Sequence, residues 1–496
     1  FFQELNGIFA FAIYDSQEDV LLLCRDRLGV KPLFYQQVAE EVIFGSEQKA
    51  LFAAGISPVL KADGWGEILG LGPARTPGHG VFYDMKEVLP GHYLSIQSKQ
   101  IRDNIYWQLQ AKPHEDTYTD TVQIVAALVE DSVERQMISD VPICTFLSGG
   151  VDSSVVSAVC AAELKKQGKK LTTFSFDFID NDKYFKANSF QPSQDRPYVD
   201  KMVSFLDSDH HYLECDNKMQ ADLLYRSVDA HDLPCMADID SSLQYFCEEV
   251  SHSHKVVLTG ECADEVFGGY PWFHREEMLN SGTFPWTPSL TPRKVLLKDD
   301  LVESLHMDEY VKMIYDRSVS EINVLPSENE IETNRRRIGY LNIRFFMQTL
   351  LNRMDRTSMF SGLEARVPFA DRTLVDYVFN IPWEMKAKDG LVKNILRQAS
   401  KGLLPDEILF RRKSPYPKTY NPYYENLLAK RLKEVLSDSA SPLHSLLDLK
   451  QVTQFLENPK DYGAPWYGQL MAGPQMIAYL LQIEYFLRKY NVSIRI

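Results

Sequence analysis

The chain has 496 residues, of which 45% are hydrophobic and 24% are charged, and its formal net charge is −15 at pH 7. A globular chain of this length is expected to form roughly two to four structural units. The acidic charge argues against general binding of nucleic acid, which usually leaves a basic footprint on the protein.

Seven cysteines are scattered along the chain without a CxxC pair. This pattern argues against a disulfide scaffold and a zinc ribbon, and it indicates a reducing, cytoplasmic location. The sequence has no apolar run of about 18 residues and no signal peptide, so we expect no membrane location.

Residues 1–109 contain short apolar runs separated by polar residues, a pattern typical of β-strands. The runs are GIFAFAIYD, VLLLCRD, LFYQQV, EVIFGSE and PGHYLSI. The chain begins without a Met and directly in such a run, which favours a fragment of a longer protein. The polar, aperiodic segment QAKPHEDTYTDT, residues 110–121, is predicted to be a linker.

Beyond residue 121 the pattern changes to alternating helices and strands. Helical spacing of apolar residues predicts helices over 122–138 and 152–167. Strands are predicted at 141–147, 171–176, 210–214 and 255–259. This alternation predicts a parallel sheet with helices on both faces, followed from about residue 264 by a mostly helical part.

The segment FLSGGVDSS, residues 146–154, lies between a predicted buried strand and a predicted helix. The segment therefore lies at the carboxyl end of a parallel strand, and open α/β folds bind ligands at that edge of the sheet. Gly149 and Gly150 let backbone N–H groups approach an anion, and the helix N-terminus adds partial positive charge. We therefore expect a phosphate or pyrophosphate site, whereas SGG alone would fit a tight strand–helix turn equally well. The chain has no GxxxxGK[ST] motif and no lysine in this loop, which argues against transfer of a γ-phosphoryl group.

Two carboxylates follow two of the predicted strands. Asp152 belongs to the phosphate loop, and Asp264 belongs to GECADEVFGGY, residues 260–270, after the strand at 255–259. A carboxylate beside a polyphosphate requires a cation between them, so the pair predicts a shared Mg²⁺. Taken alone, Asp264 would fit a simple helix N-terminal charge.

Four motifs together resemble the asparagine synthetase (glutamine-hydrolysing) family. They are SGGVDSS, GECADEVFGGY, LNRMDRTSMFSGLEARVPFAD and LPDEILFRRK. The resemblance implies an α/β fold whose C-terminal domain, residues 122–496, is a parallel-sheet ATP-pyrophosphatase (adenine nucleotide α-hydrolase-like) domain with a helical C-terminal part. It also implies cleavage of ATP between the α and β phosphates, an acyl-adenylate intermediate and release of pyrophosphate.

The resemblance assigns roles to individual residues. Residues that match the family's ATP and pyrophosphate contacts are Leu147, Ser148, Gly149, Gly150, Asp152, Ser153, Ser154, Phe176, Thr259 and Gly260. Asp152 and Asp264 match the magnesium ligands, and Glu261 matches the glutamate associated with forming β-aspartyl-AMP.

Tyr270, Glu364 and Lys413 match a Tyr/Glu/Lys set that serves the second half-reaction in relatives that make β-lactams. A lysine here would stabilise the charge that accumulates on the α-phosphate. Without the resemblance, Lys413 would be read as part of a solvated basic cluster with Arg411 and Arg412.

Residues 1–109 resemble the second half of an N-terminal-nucleophile (type 2) glutamine amidotransferase domain. The motifs are LNGIFAFAIYD, RDRLGVKPLFY and FGSEQKAL, and PGHYLSI closes the domain. The nucleophilic cysteine of that domain lies upstream of such motifs, so no glutaminase nucleophile is assigned here. Cys24 is no substitute, because it lies in an apolar strand where a buried, inert thiol is expected.

The implied function is ATP-dependent amidation of aspartate to asparagine, with nitrogen from glutamine in a full-length protein and from ammonia in this 496-residue chain. The implied ligands are ATP, Mg²⁺, aspartate and glutamine or ammonia, and a homodimer is left open. One departure concerns DLPCMADIDSS, residues 232–242, where the family carries Thr and a basic residue linked to aspartate binding. This segment has acidic residues and no cation, so the acceptor stays open.

Three alternatives to this function are considered, two with a different reaction and one without enzymatic activity. A related enzyme could amidate another carboxylate, such as a peptide or a cell-wall precursor, or close a β-lactam-type ring. A tRNA thiolation enzyme is disfavoured by the absent CxxC pair and the acidic charge. A degenerate ATP-binding homologue would be expected to lack Asp152 or Asp264, and both are present.

Overall fold

The computed structural model describes residues 1–187, 191–459 and 465–496. The N-terminal region is built mainly from strands β1 Ala10–Asp15, β2 Val20–Arg25, β3 Phe34–Val38, β4 Glu41–Gly45, β5 Val59–Leu60, β6 Lys86–Glu87, β7 His92–Gln97 and β8 Gln100–Ile105. Two antiparallel sheets result, with the strand orders β1-β2-β7-β8 and β4-β3-β6. The region also holds helices α1 Gln48–Ala53 and α2 Ala62–Trp65, and α2 continues into a π-helical segment, Gly66–Leu71.

A five-stranded parallel sheet organises the rest of the chain. Its strands are β9 Ile143–Phe146, β10 Thr172–Phe178, β11 Asp209–Cys215, β12 Val256–Leu258 and β13 Glu364–Arg366. Their order is β11-β10-β9-β12-β13, and each neighbouring pair is parallel. The strands predicted from the sequence are β9 to β12. The structure adds β13, a three-residue strand with a charged residue at each end and therefore without an apolar run.

Helices cover both faces of this sheet and form most of the C-terminal part. They are α3 Tyr118–Gln136, α4 Val151–Lys166, α5 Asn181–Tyr184, α6 Arg196–Leu206, α7 Asn217–His231, α8 Ala237–Ser251, α9 Ala263–Phe267, α10 Glu276–Leu279, α11 Thr291–Lys294, α12 Asp299–Leu305, α13 Met307–Ser320, α14 Glu330–Leu341, α15 Met347–Phe360, α16 Arg372–Asn380, α17 Trp383–Lys386, α18 Asn394–Ala399, α19 Asp406–Leu409, α20 Pro422–Ser437, α21 Leu449–Glu457 and α22 Gly473–Lys489. A last strand, β14 Ser493–Ile494, pairs in parallel with β5.

The expected linker at residues 110–121 is shorter in the structure. Helix α3 begins at Tyr118, because the side chain of Thr117 accepts a hydrogen bond from the backbone N–H of Asp120 and caps the helix. The last four residues of that segment are therefore helical. Upstream, the backbone N–H of Lys112 donates to the Asn380 side chain at 2.7 Å, which fixes the connection against α16.

One apolar core joins the N-terminal region to the C-terminal helices. Phe34, Leu51 and Trp65 pack in the same cluster as residues of α7, α15 and α22. A second cluster fills the space between the parallel sheet and its helices. All seven cysteines are buried and unpaired. None of the helices in the described part of the chain has the length and apolar character that a membrane span requires.

Candidate active site

The predicted phosphate loop connects β9 to α4 in a conformation that requires glycine. Gly149 has φ +69°, and a Cβ at this position would lie 2.7 Å from the Cβ of Tyr198. Within the loop the Ser153 hydroxyl accepts the backbone N–H of Ser148 at 3.1 Å and lies 2.9 Å from the Ser148 hydroxyl. The loop is therefore held in shape by its own serines before any ligand is bound.

Gly150 differs from Gly149 because it faces open space. It is the N-cap residue of α4, with an extended backbone at φ −82° and ψ 161°. A Cβ there would meet only the Ser148 hydroxyl, at 3.4 Å. The N-terminus of α4 is thus accessible, with free N–H groups that suit an anion.

The second loop packs directly against the first. A Cβ on Gly260 would lie 2.5 Å from the backbone nitrogen of Ser153, so only glycine allows this approach. The Thr259 hydroxyl accepts the backbone N–H of Glu261 at 3.3 Å. The ends of the neighbouring strands β9 and β12 therefore form one continuous edge.

Asp152 and Asp264 converge on a single cation position, which a lysine occupies. The Lys393 ammonium lies 2.7 and 2.6 Å from the two carboxylate oxygens of Asp152 and 2.8 Å from Oδ1 of Asp264. Lys413 reaches Oδ2 of Asp264 at 2.8 Å. Two carboxylates and two ammonium groups thus meet where the two loops join.

These contacts affect the two carboxyl groups differently. Burial raises the pKa of Asp152, and Lys393 only partly opposes this effect. Burial acts on Asp264 in the same direction, but Lys393 and Lys413 together overcome it and hold its pKa below the usual range. Asp264 is therefore the more firmly ionised of the pair.

A cavity of about 270 Å³ opens at this edge of the sheet. Twelve of the fifteen residues predicted to bind, coordinate or react line it, namely Leu147, Ser148, Gly150, Asp152, Ser153, Phe176, Thr259, Gly260, Glu261, Asp264, Tyr270 and Lys413. Gly149 and Ser154 lie just behind the wall, in the turn and in the first turn of α4. Phe176 stacks on Phe246 with ring centroids 4.1 Å apart and forms an aromatic side of the cavity.

Glu364 does not join Tyr270 and Lys413, so this part of the sequence prediction is wrong. Glu364 begins β13 and is level with Val256, at the amino end of the parallel sheet, whereas the cavity lies at the carboxyl end. Its carboxylate pairs with Arg366 at 2.8 Å and lines a different groove. A match to a motif assigns a role to a position, but it does not show at which end of a strand that position lies.

A different carboxylate serves Tyr270. The Tyr270 hydroxyl donates to Glu265, and the Lys413 ammonium lies 3.7 Å from the centre of the Tyr270 ring. Burial raises the pKa of Glu265 to about 8, and the negative charges of Asp264 and Glu261 add to this shift. Burial likewise raises the pKa of Tyr270 well above its usual value, so the phenol stays protonated.

Two further basic residues in this region were not found from the sequence. Lys393 stands in DGLVKNILR without a motif that marks it, and Arg353 stands inside the LNRMDRTS motif among other charges. Arg353 contacts Glu261, with Nη2 2.8 Å from the carboxylate. Lys393 reaches the two carboxylates, and Arg353 the cavity wall, from the helical C-terminal part. Both are far in sequence from the two loops, so no local spacing reveals them.

Cys24 lies in β2 and is fully buried, as expected from its apolar surroundings. Burial raises the pKa of its thiol to about 12, which keeps the group protonated and unreactive.

Comparison with known proteins connects this architecture to two families. A model described as asparagine synthase matches residues 125–488, and one described as glutamine amidotransferase domain matches residues 1–107. Asparagine synthetase (glutamine-hydrolyzing) 3 of Bacillus subtilis is 47% identical over 99% of this chain and 80% of that protein. Asparagine synthetase B (glutamine-hydrolyzing) of Escherichia coli is 26% identical over 84% of this chain and 61% of that protein. The amidase chyE of Penicillium rubens is 28% identical over 84% of this chain and 70% of that protein.

Proposed function

Because the chain belongs to the asparagine synthase family, we propose that it is a ligase that converts aspartate, ATP and ammonia into asparagine, AMP and pyrophosphate through β-aspartyl-AMP. The family uses ATP. The observation that carries the proposal is the convergence of the SGG loop, Asp152 and Asp264 on one cavity that also contains Glu261 and Lys413. This arrangement offers a phosphate cradle and a cation position beside groups suited to an acyl transfer.

We assign the residues at this edge to the two halves of the reaction. The loop from Leu147 to Ser154, together with Thr259 and Gly260, binds the phosphates through N–H and hydroxyl donors. Phe176 contacts the adenine side. Lys413 stabilises the negative charge that accumulates on the α-phosphate when the aspartate carboxylate attacks it. Glu261 acts in adenylate formation, and Tyr270 serves the attack of ammonia on the adenylate.

Asp152 and Asp264 are the proposed ligands of Mg²⁺. The two carboxylates are arranged to hold a cation, because the Lys393 ammonium lies between them and their oxygens point at this common position. Carboxylate oxygens are the ligands that Mg²⁺ takes in nucleotide sites. When bound, the ion would neutralise charge on the phosphates.

The remaining assignments concern the donor, the assembly and the division of the chain. We propose glutamine as the physiological nitrogen source, as the names of the relatives state for those proteins. Residues 1–109, 110–121 and 122–496 are proposed as glutaminase-type region, connection and synthetase domain. A cytoplasmic location and a homodimer stay predictions.

A second candidate is amidation of another carboxylate. It is favoured by the absence of a cation from residues 232–242 and by the similarity to an amidase. The two candidates share the adenylation step and differ only in the acceptor.

The test is exchange of labelled pyrophosphate into ATP, with ammonia omitted, across a panel of carboxylic acids. We expect exchange that requires both Mg²⁺ and L-aspartate, and formation of asparagine and AMP once ammonium is added. Ammonia as donor separates this chemistry from glutamine hydrolysis. Asp152→Asn is the inactive control. Exchange with another acid but not with aspartate would favour the second candidate, and absence of exchange with every acid would overturn both.

A further inference from the structure

The segment that departs from the family pattern turns its acidic groups away from the cavity. The Asp238 carboxylate accepts a hydrogen bond from the Gln475 side chain at 3.0 Å, and the Asp240 carboxylate accepts the backbone N–H of Met236 at 2.6 Å. The segment contributes the apolar side chain of Met236 to the cavity, and Leu243 follows from the same helix. Of the described residues 232–242, Met236 alone lines this cavity, whereas Asp240 lines a smaller neighbouring pocket together with Arg353.

A cation reaches this part of the cavity from another helix. Arg353, on α15, has only 5% of its side chain exposed. Its Nη2 binds the Glu261 carboxylate at 2.8 Å, its guanidinium lies 5.4 Å from the centre of the Tyr416 ring, and its buried Nε has no hydrogen-bond partner. Arg353 thus lines the cavity with part of its donor capacity unused.

The other described cations on the cavity wall are engaged elsewhere. Arg411 donates to the carbonyl of Ser148 and to Asp195, at the phosphate loop. Lys413 pairs with Asp264, at the cation position. Arg196 lies beside Glu214 at the end of β11. Among these, Arg353 is the one placed at Glu261, where the acceptor would be activated.

An aspartate acceptor carries two carboxylates, and only one of them is adenylated. The other carboxylate would have to lie in a cavity whose nearby wall includes Met236, Leu243, Phe346 and Leu350. A carboxylate in such surroundings needs a counter-charge, because an unpaired buried charge is strongly unfavourable. A guanidinium is the group best matched to it, since its N–H donors fit the two oxygens of a carboxylate.

On the basis of the proposed function, we propose that Arg353 binds the α-carboxylate of the acceptor. It thereby selects aspartate over amino acids that carry a single carboxylate. Arg353 would replace the basic residue that residues 232–242 lack. Glu261 stays next to the guanidinium, so the acceptor's α-ammonium would also meet an opposite charge. The residue forms no covalent bond and moves no proton in this role.

The experiment compares L-aspartate with β-alanine, which is aspartate without its α-carboxylate, in Mg²⁺-dependent ATP–pyrophosphate exchange. In Arg353→Met we expect kcat/KM for aspartate to fall on the order of 10²-fold, as for loss of one partner of a buried charged hydrogen bond. The value for β-alanine should change little, so the preference for aspartate disappears. Arg353→Lys should keep part of the preference for aspartate, because lysine retains the positive charge but lacks the paired N–H donors of the guanidinium.

A matched control removes another buried guanidinium from the same helix. Arg356 binds Asp232 and the carbonyl of Ala230 and does not line this cavity. Arg356→Met is expected to lower the melting temperature but to leave the ratio of aspartate to β-alanine unchanged. Calorimetric titration of both amino acids gives the same comparison as dissociation constants where exchange is slow.

The outcomes separate this inference from the proposed function. If wild-type protein shows no aspartate-dependent exchange, the proposed function fails first. If wild-type protein is active and Arg353→Met lowers both substrates by the same factor, Arg353 acts through Glu261 and the inference is overturned. An unchanged preference for aspartate in Arg353→Met would overturn it as well.

Discussion

Lys393 and Lys413 contact the same carboxylate, Asp264, but from different positions. Lys393 is 2% exposed and bridges both carboxylates, whereas Lys413 is 21% exposed, pairs with only Asp264 of the two and borders the cavity. Lys393 therefore compensates buried charge, since two carboxylates without a cation would be costly. Lys413 lines the cavity in which the α-phosphate is proposed to lie.

Replacement of Lys413 tests this difference. Lys413→Met is expected to fold normally and to lose on the order of 10²–10³ in kcat, the typical effect of removing one donor to a transition state. The measurement is the rate of pyrophosphate release with saturating ATP and aspartate. The control is Arg412→Met, because Arg412 is an exposed neighbour in the same basic cluster and should be dispensable. If the Lys413→Met rate is within about threefold of wild type, Lys413 does not stabilise the transition state and is only part of the basic cluster with Arg411 and Arg412.

The sequence predicts those functional side chains that stand in glycine-containing loops directly after strands. Asp152 and Asp264 are of this kind, because adjacent parallel strands deliver their following residues to one edge. Lys393 and Arg353 could not be predicted, since they arrive from helices whose packing depends on the whole core. Glu364 was misplaced because its strand was not recognised, and so its direction was unknown.

The turn between β9 and α4 has a backbone conformation that requires glycine at position 149. Gly149→Ala is expected to lower the melting temperature, because φ +69° costs an alanine about 1–2 kcal/mol and its Cβ would meet Tyr198. Gly150→Ala has an ordinary φ and should keep the melting temperature. Its methyl group, however, would stand in the space proposed for phosphate, so ATP affinity should fall. Calorimetry gives both quantities, and unaltered ATP affinity in Gly150→Ala would argue against a phosphate cradle.

Strand β11 contains a histidine that is held neutral between two hydroxyls. The ring nitrogens of His210 lie 2.7 Å from the Thr173 hydroxyl and 3.0 Å from the Ser175 hydroxyl, both on β10. Burial lowers the pKa of His210 to about 4; His211 and Arg196 add to the shift, while Asp200 and Asp209 oppose it.

This shift predicts a pH dependence of stability. The unfolded chain takes up a proton at His210 near pH 6.5 and the folded chain only near pH 4, so the contribution is complete above about 6.5 and is lost as pH falls towards 4. One proton corresponds to at most about 1.4 kcal/mol per pH unit. We expect His210→Asn to show a shallower loss of unfolding free energy over this window than wild type, measured by urea titration at several pH values. Equal slopes for the two proteins would contradict the assignment.

The predicted helices and strands agree best with the observed ones where a periodic pattern of apolar residues continues over several helical turns or over a whole strand. The helix predicted over 152–167 is α4, and the strand predicted over 171–176 is β10. Strand β13 was missed because Glu364 and Arg366 flank a single buried alanine, so its membership depends on pairing with β12 alone. Short strands of this kind are recognisable only from the sheet they join.

The whole molecule is held together across the boundary that the sequence suggests near residue 110. Lys31, in the N-terminal region, pairs with Asp355 on α15 at 2.6 Å, and the Asp355 side chain is only 5% exposed. Strand β14 near the C-terminus pairs with β5. The composition change at residues 110–121 therefore marks a change of architecture, while the shared core contradicts independent packing of the two sides.

This shared core predicts that the chain unfolds in a single cooperative transition. The reason is that loss of residues 34–85 would expose the apolar faces of α7, α15 and α22 to water, so neither side retains a complete core. Differential scanning calorimetry should give equal calorimetric and van't Hoff enthalpies. Lys31→Met should lower the transition temperature without splitting it, because it leaves the Asp355 carboxylate buried and unpaired. Lys99→Met removes an exposed pair with Glu40 in the same region and should have little effect. Two resolved transitions in the wild-type protein would instead show that the N-terminal sheets and the synthetase domain fold as separate units.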